Sequence, residues 1–343
     1  MGVDISGILE RRAITFEELR GKRVAIDAFN TIYQFLTIIR QPDGTPLQDS
    51  RGRITSHLSG LFYRTSSMLE KGVRPVYVFD GTPSPLKAKT IAGRSERKKQ
   101  AEEAMKRAIA EGRTAEAAML AQRTARLTSD MVVEGKKLLS LMGVPWVQAP
   151  SEGEAQCAAM AQEGMVGAVG SQDYDSLLFG APLLARNLTV AGKRKVPKRS
   201  IYVDVEPEEI SLEENMARLG ITRQKLVWIG LLCGTDFNEG VHGIGAKKGL
   251  KLVQEQNSFE AIVKALGERA EGFDYQPIEE MFLKPPAVKV AERDLEFGEL
   301  DRDGVVALMH GEHDFSKERI ESSLGRAFNE PLDSSQASLK KWF

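Results

Sequence analysis

Short apolar runs in this chain repeatedly close on an acid. Val24-Ala-Ile26 is followed by Asp27, and Val76-Tyr-Val-Phe79 by Asp80 and Gly81. The small apolar run Val166–Gly170 leads into Ser171-Gln172-Asp173. Runs of this length, bounded by turn residues, predict buried strands. Between them, apolar positions recur with a helical period over Asn30–Ile39, Ile54–Lys71, Asp130–Met142 and Glu154–Glu163. This alternation predicts an α/β fold: a mostly parallel central sheet flanked by helices. In such sheets ligands bind at the carboxyl ends of the strands, where Asp27, Asp80, Asp173 and Asp175 fall.

The stretch from Val147 to Phe179 holds four carboxylates in two i, i+2 pairs, Glu152 with Glu154 and Asp173 with Asp175. In an extended backbone, residues two apart point to one side, so Asp173 and Asp175 would leave their strand together. Either pair alone also reads as local structure. Ser151-x-x-Glu154 after Pro150 is a capping box, and the aspartates are ordinary turn residues. Acids at three separate strand ends favour a shared site for hard divalent cations, Mg²⁺ or Mn²⁺, because like charges that converge need cations between them.

At 343 residues, 47 basic and 48 acidic side chains leave a net charge of −1, so only segregation of the signs bears on a nucleic-acid partner. Ser84–Asp130 is such a segment, polar and helical in propensity, with eleven Lys and Arg against six acids. Its bases cluster between Lys87 and Lys99, including Arg94, just after the Asp80 strand end. A phosphate clamp and a solvated helical face are the two readings, and the position favours the clamp. Lys193–Arg199 is a second basic cluster, before the strand Ile201–Val205. It reads as a hairpin tip or a DNA-backbone contact. Two distant cysteines, Cys157 and Cys233, fit buried thiols rather than a disulfide or zinc framework. No apolar run approaches the ~20 residues of a membrane span. Met1-Gly2-x-x-x-Ser6 matches a myristoylation pattern without a second membrane signal beside it.

Thr222–Leu232 predicts a helix ending at Cys233-Gly234, with Asp236 in the loop after it. Gly243-Ile-Gly245 then opens an amphipathic helix carrying Lys247, Lys248 and Lys251. Glycines there let backbone N–H groups approach a phosphate, so the unit resembles a helix-hairpin-helix that grips duplex backbone without reading sequence. Asp274–Glu299, with Pro277, Pro285 and Pro286, reads as irregular. At the end, Gln336-Ala-Ser-Leu339-Lys-Lys-Trp342-Phe343 puts an aliphatic and two aromatics on one face of a helical turn, which predicts a docking peptide rather than a frayed terminus.

Together, V-Y-V-F-D-G, R-S-E-R-K-K, A-P-S-E-G-E-A-Q-C, S-Q-D-Y-D, G-T-D-F and G-I-G-A-K-K occur in order along the whole chain. In these motifs the chain resembles the flap structure-specific endonucleases of archaeal and eukaryotic replication and repair, in the 5′-nuclease superfamily. The resemblance implies a PIN-like nuclease domain over 1–330, with an N-terminal region over 1–100 and a helical arch at about 84–130. An internal nuclease region over about 120–260 would contain the hairpin unit at about 223–256, and a clamp-binding tail would follow over 331–343. It implies two Mg²⁺ held by Asp27, Asp80, Glu152, Glu154, Asp173, Asp175 and Asp236, with Mn²⁺ able to substitute. Lys87 and Arg94 would steer the scissile phosphate, and Tyr33 would stack on the nucleotide beside it. Arg40–Asp49 would be a wedge between duplexes. Gly243 and Gly245 would bind the uncleaved strand, with a K⁺ ion. Gly2 would lie near the active site.

The implied activity is cleavage of 5′ DNA flaps at the single-/double-strand junction, with 5′–3′ exonuclease activity, by a monomer recruited to the sliding clamp, PCNA, through residues 336–343. Gly153 and Gln172 stand where many relatives have Ala and Glu, neither among the implied ligands. The absence of a basic tail after Phe343 implies an archaeal, cytoplasmic and nucleoid-associated protein; a eukaryotic one would be nuclear. A sister enzyme acting on bubbles or four-way junctions is a rival, against which the short arch and the terminal peptide count. A non-catalytic junction scaffold recruiting the clamp predicts missing acids, and all seven are present.

Overall fold

Unbroken apolar runs build the centre of the molecule. The computed structural model, which describes residues 2–41, 44–189, 192–195, 202–270 and 274–328, holds nine strands among them. These are β1 (Arg12–Ala13), β2 (Arg23–Asp27), β3 (Arg74–Phe79), β4 (Trp146–Gln148), β5 (Ala168–Gly170), β6 (Leu183–Arg186), β7 (Gly192–Lys195), β8 (Tyr202–Val205) and β9 (Glu208–Ser211). Seven make one sheet in the order β1-β9-β6-β5-β2-β3-β4, and β7 pairs with β8 as a separate hairpin. The five strands from β6 to β4 run parallel, while β9 pairs antiparallel with β6 and β1. The expected parallel core is present, edged by antiparallel strands.

Fourteen helices lie among the described residues. The first seven are α1 (Ala28–Ile38), α2 (Ser56–Glu70), α3 (Ala88–Ala110), α4 (Thr114–Arg123), α5 (Ser129–Leu141), α6 (Gly153–Gln162) and α7 (Asp175–Leu178). Next come α8 (Leu212–Leu219), α9 (Arg223–Cys233), α10 (Ala246–Glu255), α11 (Phe259–Leu266) and α12 (Gln276–Leu283), with two more towards the end. Alternate strand residues feed different cores. Ala25, Val76, Val78 and Val169 join α6 and α9 on one face, whereas Val24, Ile26, Tyr77 and Phe79 join α1, α2 and α5 on the other. Burial on both faces is why these strands read as unbroken apolar runs.

The basic segment after β3 forms two antiparallel-packed helices, α3 and α4, inserted between β3 and β4. Their own small seam, Ala108, Ala117 and Leu120, holds them together, and α4 reaches back to α1. Only Ala101 and Ala108 of α3 are buried, and the rest of the helix is polar. The described part of the Arg40–Asp49 stretch is a tight loop tied by isolated bridges, Arg40 with Pro46 and Gln48 with Ile54.

Two expectations need correction. Asp274–Glu299 is not wholly irregular: α12 occupies Gln276–Leu283, because Pro277 sits in its first turn, where a missing N–H does no harm. Ser151 does not cap α6. Glu152 takes the N-cap position, and the Ser151 carbonyl instead accepts from Gly81 N–H at 2.6 Å.

Candidate active site

The acids reach one end of the sheet by different local routes. Asp27 is both the last residue of β2 and the N-cap of α1, and it accepts from Asn30 N–H at 3.0 Å. Asp80 follows β3 and accepts from Gly153 N–H at 2.8 Å. Glu152 and Glu154 open α6. Glu154 Oε1 accepts from Ser171 Oγ at 3.1 Å and from Ser176 Oγ at 3.4 Å. Asp173 and Asp175 do not continue β5 as an extended strand, contrary to expectation. The strand stops at Gly170, Ser171 Oγ accepts from Asp173 N–H at 3.1 Å to turn the chain, and Asp175 begins α7. The turn, not the pleat, brings them to the same side. Asp173 accepts from Asn30 Nδ2 at 2.7 Å, and Asp175 from Val3 N–H at 2.7 Å.

Gly2 lies beside Asp175 as well; a Cβ at Gly2 would stand 2.7 Å from the Asp175 carboxyl carbon. Asp236 sits in the loop after α9, facing the start of α3. Arg94 donates to its Oδ1, and Lys87 Nζ lies 3.6 Å from its Oδ2. Lys87 also donates to Glu152 Oε2 and stands 5.4 Å from the centre of the Phe237 ring. The two cations therefore join the Asp236 loop and the start of α6 across the pocket.

Crowding sets the protonation of these groups. Burial pushes the Asp27 carboxyl well above its ordinary value, and the charges of Asp80 and Asp173 add to it while the Asn30 N–H opposes it. Burial and then Asp175 and Asp27 do the same to Glu154. Burial, with Glu152 next, raises Asp80 to about 6. Burial raises Asp175 to about 7 against the Val3 N–H, with Asp236 and Asp173 contributing. For Lys87, burial works against the charge, but Glu152, Asp236 and Asp80 outweigh it and raise its pKa.

Burial and mutual repulsion thus favour the protonated form of these acids, while Lys87 and Arg94 offset the charge of Glu152 and Asp236. Among the described residues no three His, Cys, Asp or Glu side chains are arranged to chelate one ion as they stand. The donor set nonetheless fits a hard cation. Its members are carboxylates, and the nearby Cys157 thiol is pushed well up by burial and by Asp27, Glu154 and Asp80, which removes a soft thiolate from the set.

Tyr33 lies half-buried on α1, with Lys98 Nζ of α3 5.0 Å from its ring centre. Gly243 adopts φ +75°, and Gly245 precedes α10. Lys247, Lys248 and Lys251 are exposed. Lys248 donates to Gly243 O at 3.0 Å, and Lys251 pairs with Glu255 at 3.7 Å. Arg269 donates to His242 O at 2.5 Å and brings a further cation to this turn. Of the second basic cluster, Lys193, Arg194 and Lys195 lie on β7; 196–199 lie outside the described residues. Gln336, Leu339, Trp342 and Phe343 also lie outside them.

Sequence reasoning missed Asn30, Ser171, Ser176 and the Val3 N–H as partners of the acids. The Asp27-x-x-Asn30 spacing, typical of a helix N-cap, was the one local signal. It also undervalued Gly153, where a Cβ would stand 2.5 Å from Asp80 Oδ1. An Ala there cannot coexist with the present Asp80 geometry.

A family profile described as the XPG N-terminal domain matches residues 1–101, and one described as the XPG I-region matches 143–236. Flap endonuclease 1 of Archaeoglobus fulgidus is 49% identical over 343 residues, covering 100% of both chains. Flap endonuclease 1 of Methanothrix thermoacetophila is 48% identical over 342 residues, again covering 100% of both. The solved flap endonuclease-1 from Methanococcus jannaschii superposes with a TM-score of 0.74 at 41% identity, covering 96% of this chain and 98% of that one.

Proposed function

This chain belongs to the flap endonuclease 1 family, and from that premise we propose that it hydrolyses a phosphodiester at the base of 5′ DNA flaps, with accompanying 5′–3′ exonuclease activity. The reading places it in Okazaki-fragment maturation and long-patch base excision repair. One observation carries it: acids from β2, β3, α6, the turn after β5 and the loop after α9 lie close enough to raise one another's pKa, and two of them, Glu152 and Asp236, bind the cations Lys87 and Arg94 at the start of α3.

Asp27, Asp80, Glu152, Glu154, Asp173, Asp175 and Asp236 would hold two Mg²⁺ ions, with Mn²⁺ as substitute. Ions at such a site supply activation of water and stabilisation of the departing oxygen in an in-line displacement. Lys87 and Arg94, now bound to Glu152 and Asp236, are exchangeable cations: a scissile phosphate entering between them offers equivalent oxygens and draws them away from the carboxylates. A base held in duplex cannot reach buried carboxylates. The end of the duplex must therefore open, and the Tyr33 ring offsets the lost stacking. Gly243 and Gly245, with Lys247, Lys248 and Lys251, hold the backbone of the uncleaved duplex, with a K⁺ ion at the turn. Selection is by shape, because these contacts go to phosphates and carry no sequence information. The chain works as a monomer, and residues 336–343 dock on the sliding clamp.

The test is a side-by-side assay of flap, bubble and four-way-junction DNA in Mg²⁺. Cleavage concentrated on the flap supports the reading. Preference for either other substrate replaces it with a sister activity, and tight binding without cleavage replaces it with a scaffold.

A further inference from the structure

Asp80 is held at both of its ends, and one of those holds involves no acid and lies outside the cluster described above. Beyond β3 the chain runs tightly against the segment that leads to Glu152. Gly81 N–H donates to Ser151 O at 2.6 Å, and Thr82 N–H to Pro150 O at 3.3 Å. A Cβ on Gly81 would stand 2.3 Å from Ala149 O, so no larger residue fits there. Gln148, the last residue of β4, lays its side-chain amide across this seam. Its Nε2 donates to Asp80 O at 2.7 Å and lies 3.1 Å from Phe79 O and 3.2 Å from Ala149 O. An amide nitrogen has two hydrogens, so the shortest contact takes one and the other two carbonyls share the second.

The other end of the amide is also fixed. Lys136 Nζ on α5 donates to Gln148 Oε1 at 2.6 Å. That ammonium rests 4.5 Å from the Trp146 ring centre and 5.0 Å from that of Phe79, and the two rings meet edge to face at 5.9 Å. A cation on the amide oxygen polarises the group and strengthens what its N–H bonds give. Gln148 is exposed, yet its polar atoms are committed to the backbone that carries Asp80 and to one lysine. At the opposite end of the same residue, Gly153 N–H holds Asp80 Oδ1 at 2.8 Å.

We propose that Gln148, held by Lys136, is a positioning residue for Asp80: it locks the Asp80 peptide so that the carboxylate keeps one orientation towards the ion it would hold. The inference rests on the reading of Asp80 as a metal carboxylate. Partners one shell out from a metal ligand typically change metal affinity or activity by about 10–100-fold when removed. The relay reaches the pocket from outside it, through a helix that contributes none of the seven acids.

Three variants test it in the full chain. Gln148→Glu keeps length and the acceptor for Lys136 but, ionised, cannot donate to Asp80 O. Gln148→Met keeps bulk and removes both functions. Lys136→Arg keeps a cation on the amide oxygen and serves as the conservative rescue. Each is measured for kcat and KM on flap DNA, and for the Mg²⁺ concentration giving the half-maximal rise in melting temperature without DNA. Both Gln148 variants should lose about 10–100-fold in kcat and need about tenfold more Mg²⁺. KM for DNA and the melting temperature in EDTA should stay near wild type, and Lys136→Arg should behave as wild type.

Unchanged kcat and Mg²⁺ midpoint in both Gln148 variants would overturn the proposal. So would a loss that moves KM with kcat, or that follows a lowered melting temperature in EDTA, since either marks a merely structural role. Asp80→Asn separates the layers. If it cleaves like wild type, the ligand reading of Asp80 fails and takes this inference with it. If it is inactive while the Gln148 variants are normal, only the positioning role fails.

Discussion

Asp175→Asn should make the metal-free protein more stable while ending cleavage. The carboxyl is 3% exposed, and its pKa is raised from 3.8 to about 7, burial being the largest cause and Asp236 and Asp173 adding repulsion. A raised carboxyl pKa means that the folded state holds its proton at a pH where the unfolded chain has released it. Between about pH 4 and pH 7 the folded protein therefore binds more protons, and stability falls as pH rises through that window. The full gap is worth about 4 kcal/mol by pH 8. Asparagine is nearly isosteric, keeps a carbonyl oxygen for Val3 N–H, and offers Nδ2 to neighbouring carboxylates. We expect a gain of about 2–4 kcal/mol at pH 8 in EDTA, or a rise of about 3–6 °C in melting temperature. The gain should shrink towards zero by about pH 4. In Mg²⁺ the order should narrow or reverse, because an ion that binds only the folded wild type stabilises it by mass action. Thermal unfolding from pH 4 to 8, with EDTA and with Mg²⁺, reads all of this. A variant no more stable than wild type at pH 8, or a gain that does not depend on pH, would refute the reasoning.

Three further outcomes are expected. Asp173→Ala should bind flap DNA about as tightly as wild type while cleavage falls by about 10²–10³-fold, as read by binding anisotropy and single-turnover rates. Replacing Leu339, Trp342 and Phe343 together by alanine should leave basal cleavage intact and abolish stimulation by the sliding clamp; stimulation that survives would remove the tail assignment. Gly60→Ala in α2 should destabilise by about 1–3 kcal/mol, although alanine favours helix. Its Cβ would stand 2.1 Å from Phe35 Cγ, and a higher melting temperature would show that this packing is wrong.

The sheet and the positions of Asp27 and Asp80 were legible because a short apolar run that ends on an acid is a local signal. The same pattern on two faces also announced the parallel core, as Val24 and Ile26 go one way and Ala25 the other. The route of Asp173 and Asp175 was misread, because extended spacing and a Ser171-anchored turn both put alternate acids on one side. Ser151 looked like a cap by spacing alone, but its carbonyl was needed by Gly81, a partner far along the chain. Asp236 carried no local signal beyond an ordinary loop; its significance lies in Arg94 and Lys87, brought to it by the start of α3. α12 was hidden by prolines that mark its boundaries rather than forbid it. Gly153 shows the general limit. Its importance is a missing Cβ beside Asp80 Oδ1, and only the three-dimensional approach makes that visible.

The central claim is that dispersed acids are gathered into one pocket whose chemistry needs hard divalent ions. Mapping the products of a double-flap DNA substrate at nucleotide resolution, with Mg²⁺ and with EDTA, tests it most directly. The account predicts one dominant cut at the flap junction that requires Mg²⁺ and leaves a ligatable nick. Equal cleavage in EDTA, or intact DNA in Mg²⁺ despite tight binding, would contradict it.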